Sequence, residues 1–159
     1  MSKLEVPKIP PEIAYEQLLL LLRDYIATFM QALTDKFGSE EALKFIRPYL
    51  IKMGKETAEV APPMLGITGK DAIAIGTLIR VFEEHILKVK GEVTEASPDK
   101  VVAVNTACVF QDCKPEVCLI FQHVTDGVIE GINPAYRYRM TKLIPKGDKE
   151  CEWVLEKKT

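Results

Sequence analysis

The chain has 159 residues, of which 47% are hydrophobic and 28% are charged, as in one ordinary globular domain. These values exclude a disordered, collagen-like or low-complexity chain. Because the 21 basic and 23 acidic residues give a net charge of -2, no basic excess points to nucleic-acid binding.

The sequence carries no predicted membrane-spanning or secretory segment. Its longest aliphatic run, residues 18–22, is far shorter than the roughly 20 residues that span a membrane. Glu5 precedes any apolar stretch, which is not typical of a secretory signal. We therefore expect a cytoplasmic protein whose four cysteines are reduced thiols rather than disulfides.

The N-terminal part predicts an arm followed by a long helix. Residues 1–11 contain three prolines and are predicted to form an N-terminal arm, so that residues 12–159 make a single domain. Apolar side chains recur at helical spacing over residues 12–37. Because this helix is apolar on more than one face, either it is central to the core or its second face meets a partner. We favour the partner and predict a homodimer through helix 1.

Two further helices are predicted before the period changes. The second begins at Ser39, should kink or split at Pro48, and ends at Pro62-Pro63. The third begins at Thr68, whose side chain would cap it.

The C-terminal half alternates between strands and one helix. Strands are predicted over residues 88–95, 100–110, 135–144 and 149–156, with a fourth helix over 115–131. Runs of helices followed by antiparallel hairpins predict an α+β domain. It would have three N-terminal helices, then β-β-α-β-β, with helices packed on one face of an antiparallel sheet.

The four cysteines are the main chemical feature. Cys108, Cys113 and Cys118 are spaced five apart and Cys151 follows later, which is not a CxxC pattern. They could converge where the second strand, the start of the fourth helix and the last strand meet. Two interpretations stay open: a metal or thiolate cluster, favoured by a helix N-terminus at Cys118, and buried core cysteines without chemistry.

A few other polar residues are candidates for a site. Arg137 and Arg139 point the same way on the third strand and could clamp a substrate carboxylate, or they could pair with glutamates of the next strand on a solvated face. Asp112 could act as a general base or be a turn residue. Asp126 and His123 share a polar face of the fourth helix and are retained as catalytic candidates.

Several segments carry a resemblance to the L-2-amino-thiazoline-4-carboxylate hydrolase family, over roughly residues 40–156. They are the helix from Lys70-Asp71-Ala72 to Glu83-Glu84, the strand Asn105-Thr106-Ala107-Cys108-Val109-Phe110, the helix start Pro115-Glu116-Val117-Cys118, and the closing segments Gly131-Ile132-Asn133-Pro134 and Lys146-Gly147-Asp148-Lys149-Glu150-Cys151-Glu152-Trp153. This family is similar to the 4-vinyl reductase-type domains, whose fold resembles that of TRAPP subunits.

The resemblance implies hydrolytic opening of a thiazoline ring, with one divalent metal ion, zinc favoured, held by the cysteines. Cys118 and Cys151 match two ligand positions of the zinc site in ligand-sensing relatives. Met140 and Leu143 stand near the other two, so Cys108 or Cys113 would have to complete the site. Asp126 or Asp112 would move protons, and the two arginines, with Trp153, would bind the substrate.

The alternative to a hydrolase is a non-enzymatic small-molecule-binding or sensing domain of the 4-vinyl reductase type. It predicts an enclosed apolar pocket between helices and sheet, lined by residues such as Phe82, Phe110, Phe121 and Trp153. A third interpretation is an interaction module that assembles through the first helix.

Overall fold

The computed structural model describes residues 8–159, so residues 1–7 of the predicted arm lie outside the described residues. The predicted α+β order is confirmed. The elements are α1 (Pro11–Phe37), α2 (Ser39–Met64), α3 (Ala72–Val81) with a π-helical turn (Phe82–Ile86), β1 (Lys90–Ala96), β2 (Lys100–Ala107), α4 (Pro115–Ile132), β3 (Tyr136–Lys142), a 3-10 turn (Ile144–Lys146) and β4 (Cys151–Lys157).

The four strands form one antiparallel sheet in the order β1-β2-β4-β3. In the register, Trp153 of β4 is opposite Ala103 of β2 and Met140 of β3. Side chains alternate between the two faces of a strand, so these residues share one face with Asn105 and Cys151. The helices α3 and α4 cover this inner face, and α2 packs on α4.

A close crossing of two backbones fixes α4 against α2. A Cβ atom added to Gly54 would lie 2.1 Å from the carbonyl oxygen of Val124, and one added to Gly127 would lie 2.2 Å from that of Ile51. Glycine is needed at both positions because no side chain fits between backbones at this separation. The crossing holds the middle of α4 at a fixed distance from α2. It therefore also fixes the position of the α4 side chains that face the sheet.

The core is divided between two apolar clusters. One joins α3 and the C-terminal half of α4 to the sheet, and includes Ile75, Ile129 and Leu155. The other joins α1, α2 and the N-terminal half of α4 to the loop after β2, and includes Met30 and Val117. The space between the two clusters is where the candidate site lies.

Two helix boundaries differ from the sequence predictions. Pro48 does not split α2, and Pro62-Pro63 does not end it, because the helix continues to Met64. Packing of α2 along α4 outweighs the backbone hydrogen bonds that the prolines remove. The third helix begins later than Thr68, because the carboxylate of Asp71 accepts a hydrogen bond from the amide of Ala74 at 2.9 Å and caps the helix.

None of the helices formed by residues 8–159 combines the length and the apolar character that crossing a membrane requires.

Candidate functional site

A cavity of about 410 Å³ lies between the inner face of the sheet and the helices. Its wall is mainly aliphatic and aromatic, which is typical of small-molecule sites. The lining includes residues of both core clusters, such as Ile79 and Trp153 from one and Phe110 and Ile120 from the other. The cavity is therefore the gap that the two clusters leave between them.

One stripe of α4 forms the helical side of the cavity. Cys118, Phe121, Thr125 and Val128 all line it, and they follow one another at spacings of three and four residues. Three of these side chains are small, so this stripe leaves room where longer aliphatic side chains would close the gap. Phe110 and Phe121 pack at 4.8 Å between ring centroids and form the end of the cavity toward α1.

A buried polar network forms one part of the wall. Oε1 of Glu83 accepts hydrogen bonds from Nδ2 of Asn105 at 3.0 Å and from the indole nitrogen of Trp153 at 2.9 Å. Oε2 of Glu83 pairs with Arg80 at 2.7 Å, and Arg80 also donates to Oδ1 of Asn105 at 2.8 Å. Burial outweighs these donors and raises the pKa of Glu83. The network fixes the orientation of Trp153 against the cavity.

The π-helical turn places Phe82 at the mouth of the cavity and Glu83 in its wall. Met53, Thr57 and Phe82 line both the cavity and an outer groove between α2 and the turn. The Tyr15 hydroxyl of α1 donates to the backbone carbonyl of Ile86, which ties the turn to α1. Single π-helical turns inside helices are frequent at functional sites, and here the turn is next to the opening.

Three of the four cysteines line the cavity, as free thiols. Cys118 lies in the first turns of α4, as predicted, and Cys151 lies on the inner face of β4. Cys108 lies just beyond β2, because the strand ends at Ala107 rather than at residue 110. The turn that follows carries Cys113 away from the cavity into a cleft against α1.

The thiols are in an environment that keeps them protonated. Burial raises the pKa of Cys108 to about 11 and that of Cys118 to about 12, and it also raises the pKa of Cys113 and Cys151. Within residues 8–159, no three His, Cys, Asp or Glu side chains are grouped so that they could hold a metal ion. As placed, the thiols do not form a zinc centre, and the divalent metal ion stays a prediction.

The predicted substrate-binding arginines lie on the other face of the sheet. Arg137 and Arg139 both pair with Oε1 of Glu156, at 2.8 and 2.6 Å, and all three are partly exposed. The alternation of β3 that turns Tyr138 and Met140 inward turns the arginines outward. Neither arginine lines the cavity.

The predicted proton-transfer residues are also apart from the cavity. Asp112 lines the outer cleft with Cys113 and Arg23. His123 and Asp126 face the α2 side of α4, where Nδ1 of His123 lies 3.5 Å from a carboxylate oxygen of Asp126 without forming a hydrogen bond. Burial raises the pKa of Asp126. The structure therefore brings none of these three side chains to the thiols that line the cavity.

The four aromatic residues named for a pocket all line the cavity: Phe82, Phe110, Phe121 and Trp153. Sequence reasoning missed Glu83, Asn105 and Tyr138. A signal was present in each case. Asn105 is the one amide within a strand whose other residues are a lysine, three valines, two alanines and a threonine, and Glu83 follows Arg80 at a helical spacing. Tyr138 alternates with the two outward arginines.

No protein-family model matches this chain, and no curated protein matches it in sequence. Comparison with solved structures shows that the chain has a TRAPP-like α+β fold.

One such structure is a trafficking protein particle complex subunit 3 from Naegleria fowleri, covalently bound to palmitic acid. It is 13% identical, with a TM-score of 0.70, over 91% of this chain and 97% of that one. Another is the phenol-responsive sensory domain of the transcription activator PoxR with phenol. It is 14% identical, with a TM-score of 0.58, over 87% of this chain and 74% of that one.

Proposed function

We propose that this protein is a non-enzymatic binding or sensing domain that holds a small, mainly apolar molecule in the cavity. The observation that carries the proposal is a cavity of about 410 Å³ whose wall is mainly apolar and which contains a fixed polar network. Sites of this size and composition are those that proteins use for small molecules. The two structural neighbours, one with phenol and one with palmitic acid, support the same class of ligand.

The thiazoline hydrolase interpretation has less support from the site. As free thiols, Cys108 and Cys118 have a raised pKa and are therefore weak nucleophiles near neutral pH. Asp112 and Asp126, the candidates for proton transfer, do not line the cavity. The four free thiols fit the cytoplasmic location that we propose, where thiols stay reduced.

Ligand binding can be measured through the tryptophan of the wall. Trp153 is the one tryptophan of the chain and is 2% exposed, so its emission reports changes in the cavity. We would screen phenols, aromatic hydrocarbons and medium-chain alcohols by thermal shift and by Trp153 emission. A ligand at one hundred times its Kd should stabilise the fold by about 2.7 kcal/mol.

A matched pair of variants tests whether the cavity is the site. Thr125→Phe fills the cavity from α4, whereas Thr77→Phe adds the same ring on the exposed side of α3. We expect Thr125→Phe to abolish the stabilisation by ligand and Thr77→Phe to leave it unchanged. The proposal is wrong if no compound of these classes stabilises the protein, or if both variants respond to ligand like the wild type.

We also propose that two copies of the chain associate through α1. Leu18 and Leu22, 62% and 44% exposed, form one half of an apolar stripe, and Tyr25 and Phe29, 57% and 65% exposed, form the other half. An antiparallel twofold contact would place the aliphatic half of each stripe on the aromatic half of its copy, which is the self-complementarity that such a dimer requires. An exposed apolar patch of this extent marks an interaction surface.

Sedimentation analysis of one charged variant and its control tests this dimer. Phe29→Lys places a charge in the aromatic half of the stripe, opposite the aliphatic half of the other copy, and should give a monomer. Leu20→Lys, on the opposite side of α1 from the stripe and 38% exposed, should remain a dimer. A wild-type monomer at high concentration contradicts the proposal.

A further inference from the structure

We propose that the cavity selects a neutral molecule whose hydroxyl or carbonyl oxygen is hydrogen-bonded by the Tyr138 hydroxyl, and that it rejects the corresponding carboxylate. This inference rests on the proposed function and names the chemical class of the ligand. Two independent features of the wall carry it: an unpartnered phenol that is accessible from the cavity, and a buried carboxylate in a lining that holds no free cation.

Tyr138 is buried, with 5% of its surface exposed, and it lines the cavity. Within residues 8–159 the Tyr138 hydroxyl forms no hydrogen bond. Among the described side chains, Nδ1 of His123 is the one fully inaccessible nitrogen or oxygen atom without a partner. The Tyr138 oxygen, which also lacks a partner, is therefore not fully inaccessible, and Tyr138 lines the cavity. The Tyr138 hydroxyl is therefore reachable from the cavity. Buried hydroxyl groups normally have a partner, so a ligand oxygen is the missing one.

The ring of Tyr138 is held in place by its neighbours. It packs on Trp153 at 5.7 Å between ring centroids, and Trp153 is itself fixed by its hydrogen bond to Glu83. By contrast, Tyr136, on the same face of β3, donates its hydroxyl to the carbonyl of Pro98 at 2.9 Å. Tyr136 therefore has a structural hydrogen bond, whereas the hydroxyl of Tyr138 is left for a ligand.

The one ionisable side chain other than the thiols and Tyr138 that the described lining turns toward the cavity is acidic, Glu83. Glu152 also borders the cavity, but its carboxylate lies on the outer face of the sheet, where it pairs with Lys142 at 3.1 Å. No lysine, arginine or histidine is part of the described lining. Arg80 behind the wall is fully engaged by Glu83, Glu84, Asn105 and the carbonyl of Gly91. An anionic head group would be desolvated beside the Glu83 carboxylate without a free cation, which is strongly unfavourable. Glu83 already accepts three hydrogen bonds, so it is not available to recognise a cationic ligand either.

The test uses four naphthalene probes of similar shape, measured by calorimetry at neutral pH. They are 2-naphthol, methyl 2-naphthoate, 2-naphthoate and naphthalene. We expect the naphthol and the neutral ester to bind, and the carboxylate to bind about tenfold or more weakly than its ester. Tyr138→Phe should weaken naphthol binding by roughly threefold to tenfold, the effect of one net hydrogen bond, and leave naphthalene unchanged.

Tyr136→Phe is the matched control, since it removes a hydroxyl from the same strand without touching the cavity. It should lower the urea midpoint while leaving the affinity for naphthol unchanged. The inference is overturned if Tyr138→Phe binds naphthol as the wild type does, or if the carboxylate binds as tightly as its ester; binding of naphthalene would then still support the cavity as a site. If none of the four probes binds the wild type, the inference and the proposed function both fall.

Discussion

Removing the carboxylate of Glu83 should destabilise the protein far more than removing that of Glu84. Both glutamates bond to Arg80, from adjacent positions in the π-helical turn. The side chain of Glu83 is 13% exposed and that of Glu84 is 50% exposed, while that of Arg80 is 8% exposed. Glu83→Ala removes a largely buried partner of Arg80, whereas Glu84→Ala removes a half-exposed partner of the same side chain.

The magnitude follows from the groups that Glu83→Ala leaves without an acceptor. Nδ2 of Asn105 and the indole nitrogen of Trp153 each lose the hydrogen bond that they make to Glu83. Arg80 loses an ion pair at 2.7 Å. Removing one partner of a buried ion pair costs about 3–5 kcal/mol, and we expect Glu83→Ala to lie in this range. Glu84→Ala should cost at most about 1 kcal/mol, since solvent screens a half-exposed pair.

Equilibrium unfolding in urea measures both values. At an m-value of about 2 kcal/mol/M, Glu83→Ala should lower the midpoint by roughly 1.5–2.5 M. Glu83→Gln keeps one oxygen acceptor and should cost only about 1–2 kcal/mol. Equal midpoints for Glu83→Ala and Glu84→Ala, with unchanged m-values, would refute the view that the network is a buried and stabilising part of the wall.

The raised pKa of Glu83 adds a pH dependence with a defined sign. Because the folded protein binds this proton more tightly than the unfolded chain does, the folded state is favoured while the group is protonated. Its contribution to the free energy of unfolding falls as the pH rises from the ordinary value of 4.5 through the folded pKa. The difference in stability between wild type and Glu83→Gln should therefore change over this pH window and be flat above it.

Three further predictions concern the helices and the thiols. Gly127→Ala should destabilise by about 1–3 kcal/mol or more in urea unfolding, because the new Cβ would lie 2.2 Å from a backbone oxygen of α2 and the helices would have to separate; a neutral effect would contradict the close crossing. Asp71→Ala should cost about 1 kcal/mol in the same assay through loss of the cap of α3, whereas a stability equal to that of the wild type would mean that the cap is not needed. Iodoacetamide at pH 8, followed by mass spectrometry, should label Cys113 well before Cys118, whose pKa is raised to about 12 by burial; protection that a chelator removes would instead support the predicted metal ion.

Much of the fold could be predicted because it rests on local patterns. The change from helical to strand periodicity after residue 87 was sufficient for the α+β order. Alternation along β4 can be read from the sequence, and it puts Cys151 on the same face as Trp153. Phe82, Phe121 and Trp153 followed from the same two periods, since each lies on the apolar side of its element, whereas Phe110 lies in the turn beyond the end of β2.

The parts that the sequence did not predict depend on contacts between distant segments. The network of Glu83 joins residues that are far apart in the chain, and no local pattern pairs a helix carboxylate with Asn105 or Trp153. The π-helical turn shifts the hydrogen-bond register within a continuous apolar stripe, so periodicity does not reveal it. The position of Cys113 could not be predicted for a similar reason. Cys113 is spaced five residues from both Cys108 and Cys118, but β2 ends at Ala107 and the turn that follows carries Cys113 into the cleft against α1.

The cysteines and the cavity have a common physical explanation. Cys108, Cys118 and Cys151 lie where a helix start, a strand and a turn meet, at a point where leucine or isoleucine would fill the interior. A thiol is apolar enough to be buried yet small enough to leave volume, and its raised pKa keeps it uncharged. The cluster of cysteines that suggests a metal centre in the sequence therefore also accounts for a space between two core clusters. In this structure the role of the cysteines as small apolar side chains that leave a cavity has the stronger physical support. Three of the thiols line the cavity, and within residues 8–159 they do not form a set of metal ligands.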